Sequence, residues 1–285
     1  MLNVTFFGVR GSTPCSGDET RRYGGNTSCV ALEVPGQETL LLDLGTGLRY
    51  FGAHQPLDGS FRATALVTHL HWDHVQGLPF FTPIMRPGAR LRIYGPPCKE
   101  RTLADAFRDV VGPPFFPVTL DDLPGDIEFH SVFDEVFAIG EAKVTVRPVP
   151  HLGTTNGYRV EWDGTVVTYI SDHQEPLDGS GRVAPEVVEL AQGADLLIHD
   201  AQYTPSEWET KPHWGHCTME YALSVAEAAG AHRLALYHHD PGRHDDALDA
   251  ILDGLRQRAD RAGVELLAAA EGLTVSFDRA TVRAR

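Results

Sequence analysis

Thr68-His69-Leu70-His71-Trp72-Asp73-His74 gathers three imidazoles and one carboxylate between positions 69 and 74. Those are the side chains that ligate zinc and its first-row neighbours. The stretch follows the apolar, β-branched run 63–67, which reads as a buried strand, so the donors fall where a strand runs out into a loop. Binding groups in open α/β sheets emerge at that end. Alternation turns His69 and His71 the same way, while Asp73 and His74, past the turn, face a second point. Two cations fit this better than one. A lone histidine reads as a surface or core residue, but charged groups rarely cluster at a strand end without a partner.

The order of these residues resembles the His-x-His-x-Asp-His signature of the metallo-β-lactamase-fold hydrolases, on their phosphodiesterase and RNase Z-like side. The resemblance implies three further ligands, each ending a strand. His151 after 143–149, Asp172 after 165–171 and His238 after 233–237 match in order and context. It implies that His69, His71 and His151 hold one metal and Asp73, His74 and His238 the other, with Asp172 bridging and a hydroxide shared between the ions as nucleophile. His239 is the alternative to His238. Zinc is the expected metal, with manganese or iron accepting the same donors.

Two more stretches carry the resemblance. His199-Asp200-Ala201-Gln202 is similar to RNase Z's His-Glu-Ala-Thr, with Asp for Glu, and His216-Cys217-Thr218 to its His-Ser-Thr. Carried over, Asp200 orients and charges His216, which protonates a departing alkoxide. The catalytic set is then Asp73, Asp200 and His216. Helix capping beside Thr218 is the other reading of His216.

The 285 residues suit one large α/β domain, 1–285, and strand runs interleaved with helices twice over suggest two sheets between helical layers. That is the four-layer αββα sandwich, the metallo-β-lactamase fold, which the resemblance implies. With 39 acidic against 24 basic side chains the net charge is −15, and the basic residues form no run. A large nucleic acid is therefore not expected as a partner, and a small phosphodiester is. The interval of 21 positions from His151 to Asp172 points the same way, since RNase Z carries a tRNA-gripping arm in that part of the fold. Four scattered cysteines suggest no disulfide framework and a reducing compartment. No run reaches membrane-spanning length, so no membrane partner and a cytoplasmic location are expected, with a homodimer left open.

Along the chain, Asp43 ends a strand at 39–43 and reads either as a partner orienting a ligand histidine or as a turn cap. Prolines break 76–135 into a strand at 90–94, a helix over 99–111 and irregular connections. Trp72 is expected to pack its loop, and Phe115-Phe116 to pack onto the core or wall the pocket. The function expected is a dinuclear metal-dependent phosphodiesterase acting on a small or cyclic nucleotide-like phosphodiester. The alternatives are an acyl-ester, lactone or thioester hydrolase of the same fold, or a non-hydrolytic metal-binding protein of cofactor biosynthesis.

Overall fold

The computed structural model describes residues 1–278, and the stretch 279–285, which the single-domain expectation includes, lies outside the described residues. The first half of the chain lays down β1 (Leu2–Gly8), β2 (Cys29–Glu33), β3 (Thr39–Leu42), α1 (Gly47–Gly52), β4 (Arg62–Leu66), α2 (Trp72–Val75), β5 (Arg90–Gly95), α3 (Leu103–Val110) and β6 (Asp126–Ser131). The second half continues with β7 (Val136–Ile139), β8 (Ala142–Pro148), β9 (Asn156–Trp162), β10 (Thr165–Ile170), α4 (Pro185–Ala191), β11 (Leu196–Asp200), α5 (Pro205–Trp208), α6 (Met219–Ala229), β12 (Arg233–Tyr237), α7 (Asp245–Ala262), β13 (Glu265–Ala268) and β14 (Thr274–Phe277).

These strands form two seven-stranded sheets, ordered β14-β1-β2-β3-β4-β5-β6 and β13-β12-β11-β10-β9-β8-β7. β3 to β6 run parallel in the first sheet, and β10 to β13 run parallel in the second. Alternation sorts β1: Leu2, Val4 and Phe6 point into the space between the sheets, while Phe7 turns outward onto Phe51 of α1. Three apolar clusters result. One lies between the sheets, one under α4, α6 and α7, and one under α1 and α3, which makes the expected four layers. Each buried Leu, Val or Phe contributes about 1.5–3 kcal/mol, so it is this packing that holds the sheets face to face.

Three tyrosines of the second sheet cross the middle layer with their hydroxyls satisfied. Tyr158 donates to the Val67 carbonyl at 2.7 Å, Tyr237 to the Gly8 carbonyl at 2.7 Å, and Tyr169 to Asp43 Oδ2 at 2.8 Å. They tie the second sheet to the strand ends from which the donors of the first sheet emerge.

Several local expectations are corrected. The segment taken as irregular contains β6, an edge strand whose residues are mostly half-buried, so it lacks a clean period of two. α3 starts at Leu103 rather than 99, because Thr102 and Asp105 close a reciprocal capping box. Asp73 and His74 sit on the short helix α2 and not in a loop. The Asp163-Gly164 turn between β9 and β10 has positive φ at both residues (51° and 80°), as a tight hairpin requires. Among the described residues no helix is long and apolar enough to cross a membrane.

Candidate metal centre

Strand ends deliver the donors to one edge of the sandwich. β4 leads to His69 through α2, β8 to His151, β10 to Asp172, β11 to Asp200 and β12 to His238. The ligand atoms of His69, His71, His151 and Asp172 lie within 4.8 Å of one another, as do those of Asp73, His74 and His238, and those of Asp172, His216 and His238. Thus all seven residues expected as ligands converge, together with His216.

Asp172 stands between the two groups and turns one oxygen to each. Its Oδ2 is 3.7 Å from both His69 Nε2 and His151 Nε2, while its Oδ1 is 3.2 Å from His74 Nε2 and 3.5 Å from His238 Nε2. On the first side, His69 Nε2 and His71 Nδ1 approach to 2.8 Å, and His151 Nε2 lies 3.3 Å from the same His71 nitrogen. On the second side, Asp73 Oδ2 lies 3.2 Å from His74 Nε2 and 3.0 Å from His238 Nε2.

Partners on the far side of each ring select which nitrogen faces inward. His151 Nδ1–H donates to the Gly215 carbonyl at 2.6 Å, His74 Nδ1–H to Asp43 Oδ2 at 2.7 Å, and His238 Nδ1–H to Gln202 Oε1 at 3.0 Å. Each bond leaves the Nε2 lone pair directed at the centre. Asp43 is fully buried and also accepts from the Thr68 backbone N–H at 2.7 Å, which favours the orienting reading over the cap. His239, the alternative ligand, is turned away, with its Nε2 bonded to the Ala269 carbonyl at 2.9 Å.

The charge pattern divides the centre. Burial, helped by the neighbouring His74, holds His69 well below its ordinary pKa, and burial also lowers His71 and His151, so these three rings stay neutral. Burial works against protonation of His238 as well, but the Asp172 and Asp73 carboxylates outweigh it and push that ring up to about 8. His74 is raised well above its usual value, since Asp73, Asp172 and Asp43 overcome its burial. Despite burial, Asp172 is held well below the usual carboxylate range by His238, His74 and His69. This half calls for positive charge. Among the described residues His74 Nε2 and Asp172 Oδ1 are buried without a hydrogen-bond partner, and cations between the donors would supply what both lack, so the donor set fits a divalent pair.

Asp200 reaches His216 although it is shorter than glutamate: His216 Nδ1–H donates to Asp200 Oδ2 at 2.9 Å. The backbone N–H groups of His173 and Gln202 donate to Asp200 and fix the carboxylate, at 2.9 and 3.0 Å. The cap of α6 is Thr218, which accepts from the Tyr221 backbone N–H, so capping does not explain His216. Sequence reasoning missed three contributors. Gln202 and the Gly215 carbonyl orient the His238 and His151 rings, and the Ser12 backbone N–H donates to Asp73 Oδ2 at 2.7 Å. Gln202 lies inside a stretch already singled out, but the other two act through backbone and leave no side-chain signal.

A model of the beta-lactamase superfamily domain matches residues 39–239. The chain belongs to the metallo-β-lactamase superfamily. Ribonuclease Z of Natronomonas pharaonis is 30% identical to it over 83% of this chain and 86% of that protein. The metallo-β-lactamase fold protein YhfI from Bacillus subtilis shares the fold, with a TM-score of 0.72 at 20% identity over 96% of this chain and 98% of that one. So does the short form of human tRNase Z, with a TM-score of 0.68 at 23% identity over 97% and 99%. As a member of the metallo-β-lactamase superfamily the chain is a metal-dependent hydrolase, and divalent-metal binding goes with the fold.

One expectation about partners is overturned. The acidic balance and the short interval from His151 to Asp172 argued against a large nucleic acid, yet the relative from Natronomonas pharaonis is a ribonuclease and matches along most of both chains. Net charge counts every surface carboxylate, whereas a phosphate is met by the local charge at the centre.

Proposed function

We propose that this chain hydrolyses phosphodiester bonds in nucleotide-containing substrates. The observation that carries the reading is the Asp200–His216 pair, 2.9 Å apart beside Asp172, because an alkoxide leaves poorly without an acid. In this reading His69, His71 and His151 would hold one cation and Asp73, His74 and His238 the other, with Asp172 offering an oxygen to each group. Zinc is the first choice for imidazole and carboxylate donors. Bound there, two divalent cations lower the pKa of water and offset the negative charge that grows on phosphorus. His216 gives the proton on Nε2 to the departing oxygen, while Asp200 accepts from its Nδ1–H and stabilises the ring while it is charged. Asp43, Gln202 and the Gly215 carbonyl keep the ligand rings from turning.

RNA is the substrate class favoured by the ribonuclease relatives. A small or cyclic nucleotide is the second reading, favoured by the interval from His151 to Asp172, which β9, its hairpin turn and β10 take up almost entirely. Four free cysteines fit a reducing, cytoplasmic setting.

The test is the metal-loaded chain on bis(4-nitrophenyl) phosphate, an RNA with a 3′ extension, a cyclic nucleotide, 4-nitrophenyl acetate and a lactone, with metal analysis of the same preparation. Phosphodiester turnover supports the proposal, and acyl turnover alone overturns it. The RNA and cyclic-nucleotide arms separate the two substrate readings.

A further inference from the structure

Trp72 lies between His71 and Asp73, yet the residue is 56% exposed, and Phe115 is 74% exposed. The expected packing of Trp72 onto its loop is not found. The Phe115-Phe116 pair also splits: Phe116 packs on the cluster under α3 and meets Phe80 edge-on, while Phe115 stays out. Both free rings line one cavity of about 220 Å³, with Leu70 and Phe107 among its apolar walls and the Arg101–Asp109 ion pair at hand as donor and acceptor. Leu70 also lines the neighbouring cavity that opens on His69 and His71, so the two spaces adjoin.

Resting on the phosphodiesterase reading above, we propose that this cavity is the subsite for the nucleobase of the substrate, with Trp72 and Phe115 as its stacking faces. Four features select that occupant. The volume is below the ~300–1,000 Å³ of pockets that take a whole drug-sized ligand, so it suits one ring system and not an entire nucleotide. Aromatic faces accept any base, since every base has a π-face. A charged pair beside apolar walls matches the polar edge of a heteroaromatic ring. Position settles the rest: Trp72 follows one ligand and precedes another, with consecutive Cα atoms about 3.8 Å apart, so a base stacked there keeps its own phosphate at the centre.

The experiment compares thymidine 5′-(4-nitrophenyl) phosphate with methyl 4-nitrophenyl phosphate, which has the same leaving group and no base, on the metal-loaded full chain. The preference in kcat/KM for the base-bearing ester is expected to fall about tenfold in Trp72→Ala and in Phe115→Ala and to return in Trp72→Phe. An unchanged preference in both alanine variants overturns the subsite. Quenching of tryptophan fluorescence by adenosine monophosphate reads binding without turnover, with a dissociation constant expected to weaken about tenfold in Phe115→Ala. If neither ester is hydrolysed, the phosphodiesterase reading fails and the quenching alone decides the subsite. No quenching, or quenching indifferent to Phe115, overturns it. So does a doubled mass in solution that Phe115→Ala abolishes with the ester preference intact, since this face then belongs to a second copy of the chain.

Discussion

Asp43 Oδ2 lies 2.7 Å from His74 Nδ1, and both side chains are fully buried. The same carboxylate accepts from Thr68 and Tyr169, so one acid from the end of β3 holds the His74 ring, the start of the 68–74 stretch and the opposite sheet. Replacing Asp43 with Asn is expected to weaken cation affinity about 10- to 100-fold while the strand ends stay paired. Competition against a chelator checks this, and an unchanged affinity would remove Asp43 from the account.

A methyl group has no room at Gly11. A Cβ there would sit 2.4 Å from the His238 ring, and the neighbouring Ser12 N–H already engages Asp73. Overpacking of this kind costs about 1–3 kcal/mol, so Gly11→Ala should push the ring off its donor position. The expected result is fewer cations per chain by elemental analysis, with the chelated protein still folded and melting only a few degrees lower. Gly215 offers a parallel case, with φ at +92° and a Cβ position 2.5 Å from the His151 ring.

The Asp200–His216 pair separates leaving groups. In His216→Ala, kcat on a diester with an alkyl leaving group should drop by about 10²–10⁴, whereas a nitrophenyl ester, whose anion leaves unaided, should lose much less. Asp200→Asn should show the same ordering with smaller losses. Equal losses on both substrates would undo the role of His216 as acid.

Away from the centre, burial and the hydrogen bond to Asp249 push the Tyr23 phenol up to about 12. An unfolded tyrosine ionises near pH 10, so between about 10 and 12 the unfolded state holds fewer protons and stability falls as pH rises. The contribution is fully present below pH 10 and lost on passing about 12. Tyr23→Phe should flatten this decline, measured as urea midpoints from about pH 9 to about pH 12. A slope equal to that of the unaltered protein would assign the alkaline loss elsewhere.

Much of this architecture was legible because its strands are apolar runs that end in chemistry. Residues 63–67, 165–171 and 233–237 each announce a buried strand, and each is followed by a donor. What escaped depends on the tertiary fold. β6 is an edge strand without a period, Trp72 looked like packing until its surroundings were known, and the Ser12 N–H and Gly215 carbonyl act through atoms that every residue has. The misjudged partner came from treating the charge of the whole surface as that of one cleft.

The donors are shared between the sheets: residues 69–74 leave the first, while His151, Asp172 and His238 leave the second. During synthesis Asp73 and His74 therefore wait for His238 until more than half the chain length has been added. On the proposed ligand set, cation capture would be tied to completion and docking of both halves, and bound metal would act as a clasp on the finished molecule. Metal starvation would then shorten the lifetime of the protein as well as silence it, because the unclasped halves part more often and meet proteases.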